Sequence, residues 1–345
     1  MPRKTKRRTQ KYKSRRKDTY KKQTRRKNQT RRKKQRKNQT RRKKQPKKET
    51  KHKNRSGLRN SGKHVKKYKT EKCAPKTKDD ILGYTCYSST SLHKMKSIWN
   101  KKHPDLKINS NNPKTIWENL RFIFQKTCKK ESCWLKHKCL NENISLDIKS
   151  NTFAPTAPEE WKAKPDEWLS SIEIMEVMKQ YEKSYKCFEF IGPSPIDYDK
   201  HLSYGECVWE ELCKFSLKDN INKGKKKVGV IFNLDKHDKE GSHWVALFIN
   251  IKKSMIYYLD SYGEKIPGQI NKFVNKIKKQ ANALNLKKFT LHENRRRHQF
   301  SDSECGMYSL YFIIYMLKND NFGKFTKQRI KDDYMKKLRK MYFNH

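Results

Sequence analysis

Acidic residues are almost missing from the first seventy positions, where Asp18 and Glu49 stand against 35 Lys and Arg. This stretch carries a net charge of +33 out of the chain's formal +51. Apolar side chains are as scarce, limited to Met1, Leu58, Val65 and the tyrosines at 12, 20 and 68. With so little to bury, nothing offsets the entropy of ordering the backbone, and residues 1–70 are expected to be disordered when free. KNQTRRKKQ occurs at 27–35 and again at 37–45. This polar repeat offers no face to stack, which excludes a solenoid. No apolar run has the length or flanks of a signal peptide or a membrane span. Interleaved aromatics are also wanting, so base stacking is not implied. A charge density of this kind predicts a polyanion partner, bound without sequence preference through counterion release. The contacts would fall on Arg25, Arg26, Arg31, Arg32, Lys33, Lys34, Arg41, Arg42, Lys43 and Lys44. Nuclear localisation and acidic membrane surfaces are the other uses of such a tail.

Composition shifts near Glu71, where cysteines and tryptophans begin. The remaining residues suffice for a real core and for two domains. We read 71–158 as a helical arm and 159–345 as a second domain. PKTIWENLRFIFQKTC at 113–128 has proline at its start and helical apolar spacing. Cys128, Cys133 and Cys139, with His137 among them, fit short zinc loops poorly. No metal or cofactor is expected, and the nine cysteines, an odd number, are expected as free thiols in a reducing compartment. FAPTAP at 153–158 is a turn-rich linker. PDEWLSSIEIMEVM, from Pro165, predicts a helix capped by Ser170 or Ser171. Residues 188–199 hold Gly192-Pro193 and Ser194-Pro195 and read as loop. Residues 207–215 read as a short helix, and a C-terminal helix is expected over 328–341.

The richest stretch is 241–317. HWVALFINI and MIYYLD are aromatic and β-branched runs joined by a short polar turn, which predicts a hairpin. KVGVIFN at 227–233 is the strand before it. An antiparallel return brings His243 and Asp260 to one end. Residues 266–284 show helical periodicity, and 305–317 read as a buried helix with Asp302 or Ser303 at its N-cap. A cysteine in the first turn of such a helix has its thiolate favoured by unpaired backbone N–H groups. Cys305 as nucleophile, His243 as base and Asp260 as orienter form a catalytic set. The Cys305 amide and the Gln299 side chain are candidate oxyanion donors.

These residues resemble the core of the adenovirus-type and SUMO-deconjugating cysteine protease clan. His243-Trp244 opens a strand, Asp260-Ser261 ends the next, and Gln299 stands six residues before Cys305-Gly306. One departure is Glu304, where SUMO-directed members usually carry Asp. The resemblance implies an α+β fold with a central mixed sheet, and thioester chemistry without a cofactor. It also implies a substrate groove formed by Trp168, Leu169, Trp244 and Gly306. The branch most similar is that of the virion-maturation proteases of large DNA viruses. That branch implies cleavage of structural polyproteins after Gly-X or Gly-Gly-X phrases. It places the chain in the virion and the cytoplasmic viral factory, with the nucleus as an alternative. The richness in Lys, Asn, Ile and Tyr fits an AT-rich genome. A SUMO or ubiquitin-like deconjugase is the second expectation. A nucleic-acid-binding protein with an inactive protease fold is the remote third.

Overall fold

The structure is a computed structural model that describes residues 71–76 and 81–344. The polybasic segment 1–70, with all of its expected nucleic-acid contacts, lies outside the described residues. Two helices open the arm. α1 (Ser89–Lys102) starts at Ser88, whose hydroxyl accepts from Ser91 N–H, and α2 (Pro113–Phe124) at Asn112 with proline in its first turn. Their inner faces, Leu92, Met95 and Ile98 against Ile116, Leu120 and Phe124, enclose fully buried Trp134 in a core of their own.

α3 (Ser171–Ser184) begins the second region. Ser170 caps it, and Glu173 returns the bond to the Ser170 amide, a complete capping box. Gln180 on this helix is buried and donates to the carbonyls of Ser150 and Phe153, which ties the arm to α3. The strands follow as β1 (Phe188–Pro195), β2 (Lys227–Asn233), β3 (Trp244–Asn250) and β4 (Met255–Leu259). After them come α4 (Gly268–Ala283), β5 (Thr290–Glu293), α5 (Cys305–Asn319) and α6 (Asp332–Tyr342). The sheet runs β1-β2-β3-β4-β5. β2, β3 and β4 are antiparallel, while the outer pairs β1/β2 and β4/β5 are parallel. This is the mixed α+β architecture expected.

Strand periodicity sorts the core into two faces. Trp244, Ala246 and Phe248 of β3 point to α3 and α5, and Val245, Leu247 and Ile249 point to α4. Both faces are covered, so every residue of β3 is buried. That explains why HWVALFINI reads as a continuous apolar run rather than an alternating one.

Three expectations need correction. Residues 188–195 form a strand, not a loop. β1 is an edge strand, and its register slips between Ile191 and Ser194, where Pro193 sits outside the ladder, while Pro195 ends the strand. Gly192 holds that bend with φ +112°, and a side chain there would meet Ile231 O at 2.9 Å. The C-terminal helix starts at Asp332, four residues late. The backbone before it is used elsewhere: Ile330 N–H donates to His298 Nδ1, and its carbonyl accepts from Tyr308 Oη.

The cysteines are the third. Cys73–Cys86, Cys128–Cys133 and Cys207–Cys213 are disulfides with Cα separations of 5.1, 5.5 and 6.2 Å. Among the described residues, Cys139, Cys187 and Cys305 are free. Counting cysteines does not reveal which of them a chain reversal brings within disulfide reach. The Cys128–Cys133 bond also uses two of the three sulfurs weighed for a metal. His201 lies 3.7 Å from Cys207 Sγ, but both cysteines of that cluster are joined to each other.

Candidate active site

The β3/β4 hairpin sets the first pair. Its register pairs Ala246 with Leu259, so His243 before β3 and Asp260 after β4 emerge at the same end. His243 Nε2 lies 2.9 Å from Asp260 Oδ1. Asp260 is 2 % exposed, and the same oxygen accepts from Tyr262 N–H at 2.7 Å. Asn294, fully buried, donates from Nδ2 to the Asp260 carbonyl at 3.0 Å.

α5 brings the nucleophile candidate to the pair. Cys305 is its first residue, and its thiol lies close enough to His243 to influence the imidazole electrostatically. Burial draws the imidazole pKa down, but hydrogen bonds to Asp260 and Cys305, and the charges on those groups, outweigh it and push it up to about 9. The helix N-cap is Glu304, not Asp302 or Ser303, and it makes no side-chain bond to the first turn. Its carbonyl accepts the first ladder bond, from Tyr308 N–H at 3.0 Å. The N–H groups of Cys305, Gly306 and Met307 therefore precede the ladder and face the helix mouth with the positive end of its dipole.

Gln299 is fully buried. Ser261 holds it twice. The Ser261 hydroxyl donates to Gln299 Oε1 at 2.6 Å, and its carbonyl accepts from the backbone N–H groups of His298 and Gln299. Gln299 Nε2 donates to Ser301 O at 2.7 Å, and its contact with Tyr262 Oη is long, at 3.4 Å. The Asp-Ser phrase thus divides its labour, Asp260 for the histidine and Ser261 for the glutamine.

Three of the four groove residues come together. Trp244 Nε1 donates to Leu169 O at 2.9 Å, and a side chain at Gly306 would meet Leu169 Cβ at 2.9 Å. Trp168 stands apart, 42 % exposed. Sequence reasoning missed Asn294 and Tyr262, and it named Ser261 only as part of the Asp-Ser phrase, not as the residue that holds Gln299. The Tyr262 ring stacks on His243 at 4.8 Å and 16°. Its place two residues after Asp260 was the available signal.

Comparison with known proteins bears on this geometry. Residues 174–345 match the Ulp1 protease family, C-terminal catalytic domain. The chain is 27 % identical over 292 residues to a putative thiol protease of Acanthamoeba polyphaga mimivirus, covering 79 % of this chain and 93 % of that one. It is 26 % identical over 251 residues to a SUMO-1 cysteine protease of African swine fever virus, covering 67 % and 89 %. A crystal structure of the African swine fever virus protease superposes with a TM-score of 0.55 at 22 % identity, over 79 % of this chain and 95 % of that one.

Proposed function

We propose that this chain, a cysteine protease whose residues 174–345 form a catalytic domain of the Ulp1 family, is an endopeptidase that matures viral structural or core polyproteins. The observation that carries the mechanism is the junction of Cys305 with the His243–Asp260 pair at the mouth of α5.

The reactive form of the pair is His243 as imidazolium and Cys305 as thiolate. The thiolate sulfur attacks the scissile carbonyl carbon, and the carbonyl π electrons move onto oxygen. The Cys305 amide and one Gln299 Nε2–H receive that oxyanion. The bare Glu304 N-cap also leaves the Gly306 and Met307 amides without a side-chain acceptor at the helix mouth. His243 gives its proton to the leaving amine as the C–N bond breaks, which leaves a thioester. Water then attacks with neutral His243 as base, and the carboxylic acid leaves as the thiolate returns. Asp260 orients the imidazole and supports its charge.

Cleavage after small residues is the specificity we infer, and the packing around Gly306 supports it. Leu169 packs on Gly306 and holds Trp244, so the backbone directly after Cys305 admits no side chain at Gly306, which suits Gly-X and Gly-Gly-X phrases. The name of the African swine fever virus relative favours a second reading, a SUMO-directed isopeptidase. Profiling the purified chain on Gly-Gly-X peptides beside SUMO and ubiquitin C-terminal reporters separates the two. Turnover confined to the reporters would replace the polyprotein reading.

Gln299→Ala is expected to slow acylation by about a hundredfold, near 3 kcal/mol of transition-state stabilisation for one oxyanion donor. A variant weakened only in substrate affinity would remove Gln299 from the oxyanion hole. The pH profile carries the His243 shift. The imidazolium needed for proton donation is lost as pH rises through about 9, so kcat/KM falls there and not near 7. The linked stability has the same sign. It is fully present below the ordinary histidine range near 6.5 and fades as pH rises through about 9. A high-pH limb near 7 in a rate profile would contradict the pairing.

The tail is assigned to nucleic acid on charge alone. DNA as a shared scaffold would hold enzyme and substrate together in a particle. Deleting residues 1–70 leaves a formal charge of +18, which is 51 minus 33. Peptide cleavage should survive, and the salt slope of binding to one duplex should flatten. Equal slopes for the full and truncated chains would defeat this assignment.

A further inference from the structure

The residue directly before the candidate nucleophile buries a charge. Glu304 is 0 % exposed, and Arg339, in the last turn of α6, is 3 % exposed. Arg339 Nη2 donates to Glu304 Oε2 at 3.2 Å. The guanidinium also lies 4.4 Å from the Trp161 ring centroid, and that ring meets Phe343 edge-on just past the end of α6. Among the described residues, Glu304 Oε1, Arg339 Nε and Arg339 Nη1 have no hydrogen-bond partner. Neither charge has a second bonded partner to fall back on.

Stability alone does not account for such a pair. Desolvating two charges is costly, and well-packed apolar residues of similar volume often do as well or better. Burial pushes the Glu304 carboxyl up, and Arg339 opposes that shift. A charge-assisted bond does supply direction, which an apolar contact lacks. Glu304 is also the joint between the loop that carries Gln299 and the helix that carries Cys305. Its carbonyl starts the α5 ladder, and its own Cα leads directly into the Cys305 amide. A side chain fixed at this joint fixes the pitch of the first turn, and with it the thiol and one oxyanion donor.

We propose that Glu304 and Arg339 are positioning residues for the protease reaction, an ion pair that clamps the first turn of α5 to α6 and aims Cys305 and its amide at the substrate carbonyl. This rests on Cys305 as the nucleophile. Arg339 lies on the last long helix, 34 residues after Cys305, so the C-terminal helix becomes part of the catalytic apparatus rather than a peripheral cover.

The test compares the full chain with Glu304→Gln and with the apolar double variant Glu304→Leu/Arg339→Met. Each is titrated with an irreversible thiol-directed peptide probe, so that kcat is counted per competent site. The double variant removes both buried charges together and is expected to fold. Its kcat should fall about a hundredfold, the effect of a misplacement near 1 Å, while KM stays within about threefold. Glu304→Gln keeps the shape and an acceptor oxygen and should lose about tenfold. Unchanged kcat in the folded double variant overturns the proposal and leaves the pair a structural filler. So does a loss confined to KM. If the double variant does not fold, Glu304→Gln decides alone, and full kcat there overturns it. Cys305→Ala in the same assay separates the two claims. Activity in that variant would remove the nucleophile, whereas full activity in the pair variants beside a dead Cys305→Ala would remove only the clamp.

Discussion

Cys305→Ala abolishes peptide hydrolysis, with a fall on the order of a millionfold, the scale for loss of a triad nucleophile. The fold survives, because the change removes one sulfur at a buried helix start and leaves the apolar flank from Met307 to Leu317 in place. A packing loss of about 1 kcal/mol corresponds to a few degrees in Tm for a chain of this size. Circular dichroism and a melting curve run beside the activity assay check both halves. The two other free thiols, Cys139 and Cys187, belong to other parts of the molecule, whereas Cys305 is the thiol that acts on the His243 charge. Turnover within tenfold of the parent would sink the assignment.

His243→Ala has the second largest effect, close to that of the nucleophile itself, since members of such a set act as a unit. It removes the proton donor for the leaving amine and the cation that holds the thiolate. With the imidazolium gone, the Cys305 sulfur loses the cation beside it. Iodoacetamide alkylation of Cys305 at pH 7 should then slow, because the thiolate is the alkylated form. An alkylation profile that does not change with this substitution would show that His243 is not the partner of Cys305. The substitution also leaves Asp260 buried with one hydrogen bond fewer, so a lower Tm is expected alongside the lost activity.

Some of this was written plainly in the chain. Residues 244–259 spell two strands with a polar turn, and an antiparallel return leaves no choice but to bring His243 and Asp260 together. The apolar run behind Cys305 was too long for a strand, so the cysteine had to stand at a helix start. Other parts depended on contacts that no local pattern encodes. β1 looked like loop because its glycine and prolines are breakers in isolation, yet an edge position with a register slip tolerates them. The helix cap at Asp302 or Ser303 followed propensity, while the chain starts α5 at an uncapped glutamate whose side chain turns to Arg339. Ser261 was legible only as half of the Asp-Ser phrase and Asn294 not at all, and burial shows that they hold Gln299 and Asp260. The disulfides were illegible for the same reason, since spacing does not say which loops close.

The most direct test of the catalytic claim is to trap the acyl-accepting atom. The full chain is incubated with a Gly-Gly peptide carrying a vinyl methyl ester, digested without reductant and mapped by mass spectrometry. The account predicts one adduct per chain on Cys305, blocked by prior alkylation of that residue and nearly absent in His243→Ala. An adduct on Cys139 or Cys187 instead, or labelling of Cys305 that is indifferent to His243, would contradict it.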